Sequence, residues 1–232
     1  MIAALRTRPD RVLLAIAVLA WAWMLGEAAT ARRLSCCDPH PSRLADLTSW
    51  ALMIAAMMLP ATLPAARDVG ARSYRCRRIR SVVEYMIGYA ACWAPIGLAF
   101  VAFRSFDLAH DPRTAAAFAI LAAAWAALPI RTRWFNLCHR PIPLCPVGWR
   151  ADCDALRQGA VHGVPCVKMC WPLMFACAVS GHDMILMIGG AWLALAEKRM
   201  FRLNRRPLIL GSLALAAWLL VKWWFINQSS SR

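Results

Sequence analysis

The sequence predicts an all-α fold: a polytopic transmembrane helix bundle of about six or seven spans, one pair of which forms a hairpin that either crosses fully or is re-entrant. Three observations predict it. Apolar residues make up 61% of the 232 residues and the mean hydropathy is +0.50, too apolar for an ordinary soluble domain. These residues gather in runs of membrane-spanning length. The basic residues sit in blocks between the runs, not on one basic face, so the net charge of +15 reads as topology. The expected partner is therefore the lipid bilayer and no nucleic acid. Ten cysteines in such a chain do not read as a disulfide framework, which belongs to small secreted domains.

The chain reads as a single membrane domain over 1–232. Arg6, Arg8 and Arg11 precede a first apolar run at 12–31. It is an uncleaved anchor containing Trp21 and Trp23, or the hydrophobic part of a signal peptide with Ala29-Thr30-Ala31 as its cleavage site. Either way the next loop is exterior, and its Cys36-Cys37-Asp38-Pro39-His40 offers thiols and an imidazole to a metal or to oxidation. The second span, at 47–66, carries Met53, Met57 and Met58 and two prolines, Pro60 and Pro64, which bend a helix and release backbone carbonyls for neighbouring helices to satisfy.

Arg67 to Arg80 form the densest basic block, which the positive-inside rule assigns to the cytoplasm. The third span follows at 82–103, with Glu84 expected to reach back to these arginines. Asp111, after His110, is expected to cap the fourth span, at 114–130, whose alanine-rich face suits close packing as scaffold. Residues 131–160 read as a cytoplasmic loop containing Cys138-His139-Arg140-Pro141, Cys145 and Cys153. Cytosolic thiols stay reduced, which favours metal ligation or thiol exchange there.

Two runs, 164–181 and 183–197, flank Gly181-His182-Asp183. A single span through this point would bury Asp183 at a cost of about 2.5–3.5 kcal/mol. Arg131 to Arg157 and Lys198 to Arg206 can both be cytoplasmic only if the chain goes out and returns, so a hairpin is predicted. The last span, 207–225, ends in Lys222, Trp223 and Trp224, an interfacial anchor pattern. The N-terminus is then cytoplasmic and the C-terminus outside.

The chemistry concentrates at His162, Cys166, Cys170, Met174 and Cys177, which follow one another at helical spacing along one face. Thiolate and thioether sulfur favour Cu(I), with zinc and iron–sulfur as thiolate alternatives. Cysteine and methionine also pack as apolar residues, and Met174 and Cys177, deeper in the span, suit that role better. The compact candidate is Cys166, Met169 and Cys170 with His162 one turn before; Cys138 or the Met57–Met58 pair could complete it. Pro165 suits a first-turn position, and Pro172 should leave the Lys168 carbonyl without its helical partner. The Lys168 amine is expected to snorkel to the interface or to favour a neighbouring thiolate.

Ala56-Met57-Met58-Leu59-Pro60, the Cys138-His139-Arg140-Pro141 turn, Gly159 to Gly163, Cys166-x-x-Met169-Cys170-Trp171-x-Leu173-Met174 and Glu197-Lys198 together resemble the bacterial family of predicted metal-binding integral membrane proteins, a domain of unknown function. The resemblance covers about residues 45 to 200 and rests on the ordered combination of motifs rather than on any one. It implies metal binding in a bacterial inner membrane, with copper handling or delivery to cuproproteins and a metal-donating or metal-receiving protein as partner. Family members carry cysteine where this chain has Met169 and Trp134. Met169 keeps a sulfur donor without its negative charge, and Trp134 keeps none.

Three functions compete: Cu(I) binding for transfer, without covalent catalysis; membrane thiol–disulfide exchange through Cys166, Cys170 and Cys138; and an assembly role in which the cysteines only pack. The scarcity of carboxylates inside the spans favours a soft ion over a hard one.

Overall fold

The computed structural model describes residues 9–31, 43–104, 106, 111–140, 142–199 and 205–230. Cys36, Cys37, His40 and His110 lie outside the described residues. The helices are α1 (Pro9–Ala31), α2 (Arg43–Arg72), α3 (Arg78–Phe103), α4 (Pro112–Ala127), α5 (Ile130–Cys138), α6 (Gly148–Val179), α7 (Met184–Arg199) and α8 (Arg205–Ser230). Among the described residues no strand occurs, and the chain is a helical bundle. Helices α1, α2, α3, α6 and α8 are long and apolar enough to cross a membrane; α4 and α5 together make a sixth candidate, bent by 86°. At 16 residues, α7 falls short of the about 20 that a perpendicular crossing needs.

The corner between α4 and α5 follows from one residue. Pro129 disfavours the helical region for Leu128, which adopts ψ 134° and ends α4. The chain restarts at Ile130, and the face carrying Arg131, Phe135 and Cys138 is buried against the bundle. The start of α4 is capped as the sequence suggests, with Asp111 Oδ1 accepting from the Arg113 amide at 2.9 Å.

Helix α6 departs most from the sequence reading. It begins at Gly148, about four turns before position 164, so most of 131–160 is helical and Pro165 lies inside a helix. The extension is amphipathic: Ala151, Ala155, Gln158, Gly159 and His162 are buried at helical spacing, while Arg150 and Arg157 are exposed. Counting apolar runs misses such a helix, because half of its surface is charged. Pro143 and Pro146 do fall in the short connection before it.

Two proline-freed carbonyls are satisfied by tryptophan from a neighbouring helix. Pro60 frees Ala56 O, which accepts from Trp21 Nε1 at 2.9 Å. Pro172 frees Lys168 O, which accepts from Trp125 Nε1 at 2.6 Å. The prolines thus dock α1 on α2 and α4 on α6.

Between α6 and α7 the chain reverses at Gly181 (φ 68°) and His182 (φ 60°), producing the hairpin. Asp183 caps α7 through the amides of Ile185 and Leu186, at 3.1 and 3.2 Å, and accepts from Lys222 Nζ at 2.6 Å. The lysine expected as an interfacial anchor therefore also ties α8 to the hairpin.

Helices α3 and α6 run parallel in close contact. A Cβ on Gly88 would stand 2.1 Å from Leu156 O, and one on Gly159 would stand 2.0 Å from Tyr85 O, so only glycine permits this approach. The lower seam is fixed by ionic contacts: Asp152 accepts from Arg77 and, at 2.6 Å, from Arg80, whose Nε also meets Glu84 at 2.8 Å. Glu84 thus reaches the arginine block as expected.

Candidate metal centre

The glycine seam decides which side chains meet. Tyr85 and Tyr89, one turn apart on α3, face His162 and Cys166, one turn apart on α6. Tyr85 Oη lies 2.6 Å from His162 Nδ1, and Tyr89 Oη lies 3.1 Å from Cys166 Sγ. The two pairs share one sequence separation, 77 residues, as parallel helices in register require. Neither tyrosine carries an obvious ligand motif. Their signal was the spacing of two phenols around Gly88 in an otherwise apolar helix.

Helix α2 completes the sulfur pair. The Cys166 thiol lies 4.0 Å from Met58 Sδ, both side chains being fully buried. Cys170, one turn further along α6, is buried beside Cys166 and interacts with its thiol. Metal–sulfur bonds of about 2.3 Å to one ion would span the 4.0 Å separation at an S–metal–S angle of about 120°, which suits a three-coordinate soft ion. The donor chemistry and spacing of the pair therefore fit Cu(I). Among the described residues no three His, Cys, Asp or Glu side chains converge on one point, so the close pair is a thiol and a thioether.

Met57 turns elsewhere. A Cβ on Gly190 would meet its methyl at 3.0 Å and Cys177 Sγ at 3.4 Å, so Met57 and Cys177 pack together against α7. Cys177 also donates to Leu186 O at 3.7 Å, consistent with packing, and Met174 is buried in the same core. Met169 is buried but lines a small cavity with Cys170, Arg131 and Glu197 on the side of α6 that faces α5.

Cys138 and His162 lie at the mouth of the site. They line a cavity of about 360 Å³ together with Asp68, His139, Gln158 and Lys198. Cys138 Sγ approaches His162 O at 3.9 Å and Lys198 Nζ at 3.5 Å. The His162 ring is held at both nitrogens, Nδ1 by Tyr85 and Nε2 by Lys198 Nζ at 2.9 Å.

Lys198 owes its place to its neighbour. Arg131 from α5 makes a two-pronged ion pair with Glu197, Nε to Oε1 at 2.8 Å and Nη2 to Oε2 at 2.7 Å, with side-chain exposures of 6% and 2%. Arg131 Nη1 also donates to Met169 O at 2.8 Å, joining α5, α6 and α7 behind the cysteines. With Glu197 pinned there, the next residue, about 100° round the helix, reaches the cavity side. The cation beside the thiols is thus Lys198 rather than Lys168. The Lys168 amine instead lies 6.0 Å over the Trp134 ring, and Trp134 stacks on Trp125 at 5.7 Å. Trp134 thus serves packing.

A family model described as "PpoB2: Copper chaperone" matches residues 47–221, a stretch that contains the sulfur pair, the cavity and the Arg131–Glu197 clamp. No curated protein and no solved structure matches the chain.

Proposed function

Because the chain belongs to this copper chaperone family, we propose that it holds Cu(I) within the membrane for transfer to a copper-requiring protein, with Cys166 and Met58 as the central ligands. The observation that carries this reading is the 4.0 Å approach of a buried thiol and a buried thioether from different helices. A thiolate neutralises the single charge of Cu(I), and a thioether adds a neutral soft donor, so a weakly hydrated monovalent ion is favoured over zinc. Cys170, Cys138 and His162 supply further donors as the ion moves. Met169 and Met57 are supporting residues rather than ligands.

In this reading the cavity beside Cys138 and His162 is the route of entry or exit, and the arginine blocks support a cytoplasmic side for it. The setting we infer is a bacterial inner membrane, with the chain as one multi-pass domain whose N-terminus is cytoplasmic. A metal-donating or metal-receiving protein would dock at the cavity mouth. Copper is cargo here, and no bond of a substrate is broken.

Metal analysis tests the reading. Protein purified anaerobically after reduction should retain copper stoichiometrically. The double substitution Cys166→Ala with Cys170→Ala should abolish this retention while leaving the protein abundant in the membrane. Wild-type protein that binds neither copper nor zinc under these conditions refutes it.

A further inference from the structure

The ammonium of Lys198 faces the soft donors, and among the described residues none of its close hydrogen-bond partners is a carboxylate. Its Nζ is 2.9 Å from His162 Nε2, 3.5 Å from Cys138 Sγ and 5.9 Å from the centre of the Tyr89 ring, with Cys166 a further neighbour. The adjacent Glu197 is committed to Arg131. A lysine donates hydrogen bonds and never accepts them, so His162 Nε2 presents its lone pair to the amine and Nδ1 carries the hydrogen shared with Tyr85. That is the arrangement of a metal-ready histidine: one ring nitrogen anchored by a hydrogen bond and the other aimed into the site.

We propose that Lys198 is a placeholder cation, which occupies Cys138 and His162 until a monovalent metal ion displaces it. This rests on the Cu(I) reading above. In the metal-free protein one unit of positive charge, the ammonium, faces the sulfurs. When Cu(I) bonds to Cys166 and Met58, the Cys166 S–H bond breaks, its proton leaves through the cavity to water, and the resulting thiolate neutralises the single charge of the ion. The amine, still protonated, swings into the cavity that its own side chain lines, towards Asp68. His162 Nε2 is thereby released to bond the ion, while the Cys138 thiol keeps its proton at the mouth of the site. With one thiolate the site is neutral around Cu(I) but carries an excess positive charge around Zn(II), which a low-dielectric site with a protonated lysine nearby penalises strongly. Lys198 is thus a residue that determines specificity and couples metal arrival to the opening of the cavity.

The first experiment uses wild-type protein and Ag(I), a monovalent soft ion that does not change oxidation state. Acylation of the Lys198 amine by a water-soluble reagent, read by mass spectrometry, should rise severalfold on silver loading, and the rise should disappear in Cys166→Ala with Cys170→Ala. The second compares zinc with Cu(I) retention. Lys198→Met should raise the zinc-to-copper ratio on the order of tenfold or more, and Lys198→Arg should restore discrimination. Silver retained with unchanged Lys198 acylation, or an unchanged ratio in a folded Lys198→Met, overturns the placeholder while leaving the Cu(I) reading intact. Wild-type protein that retains no silver, copper or zinc overturns both. If Lys198→Met does not fold, the wild-type acylation result decides alone.

Discussion

The sulfur atoms of Cys166 and Met58 lie 4.0 Å apart across 108 residues of sequence. Their approach depends on parts of the chain that carry no ligand. The glycine seam sets α6 against α3, Trp21 docks α1 on the carbonyl that Pro60 frees in α2, and the Arg131–Glu197 clamp fixes α7 behind them. Each of these supports can be removed separately.

Gly159→Ala places a methyl 2.0 Å from Tyr85 O, which no rotamer change relieves, since the obstacle is backbone. Helix α3 must then shift, opening both the Tyr85–His162 and Tyr89–Cys166 contacts. Overpacking of this kind costs about 1–3 kcal/mol. Thermal unfolding in detergent should fall accordingly and metal retention should fall with it. Gly26→Ala, whose added Cβ meets nothing within 4 Å, should change neither. Equal stability of the two variants would contradict the seam.

Glu197→Ala leaves the Arg131 guanidinium buried without its carboxylate. Breaking a buried pair on one side typically costs about 3–5 kcal/mol, whereas replacing both partners by apolar residues of similar size is much milder. The single variant should therefore lose more thermal stability than Arg131→Met with Glu197→Met. A double variant no more stable than the single one would show that the pair is not acting as a buried clamp.

His182, at the reversal between α6 and α7, is pushed down to about 4 by burial and by the Arg104 guanidinium. Its ordinary value of 6.5 lies above this, so the unfolded chain binds its proton first as the pH falls. The hairpin should be fully stable above about pH 6.5 and lose stability between there and pH 4. His182→Asn, which keeps a residue tolerant of positive φ, should flatten that part of the pH–stability curve. An unaltered slope in the variant would assign the acid sensitivity to another group.

Much of this arrangement was legible in the sequence where one residue has one mechanical consequence. Pro60 and Pro172 must each release a carbonyl, Asp111 must cap a helix, and Gly181 must lie in a turn because charge parity demands a reversal nearby. The soft-donor cluster around Cys166 was legible for a similar reason, since helical spacing alone puts Cys166 and Cys170 on one face. What the sequence concealed was pairing between helices. Met57 and Met58 are adjacent and chemically identical, yet about 100° of helix rotation sends one to Gly190 and the other to Cys166. Tyr85, Tyr89 and Lys198 acquire their roles from the register of α3 and α7 on α6, which apolar run lengths do not encode. The amphipathic start of α6 was hidden because its exposed arginines look like those of a loop.

The central claim is that Met58 and Cys166 bind one copper ion together, and X-ray absorption at the copper edge tests it most directly. Protein loaded with one equivalent of Cu(I) should show a sulfur shell at about 2.3 Å. Met58→Leu, a nearly volume-conserving change costing less than about 1.5 kcal/mol, should lose one sulfur from that shell, while Met57→Leu should leave it intact. A shell without sulfur, or one that Met58→Leu leaves unchanged, would contradict the account.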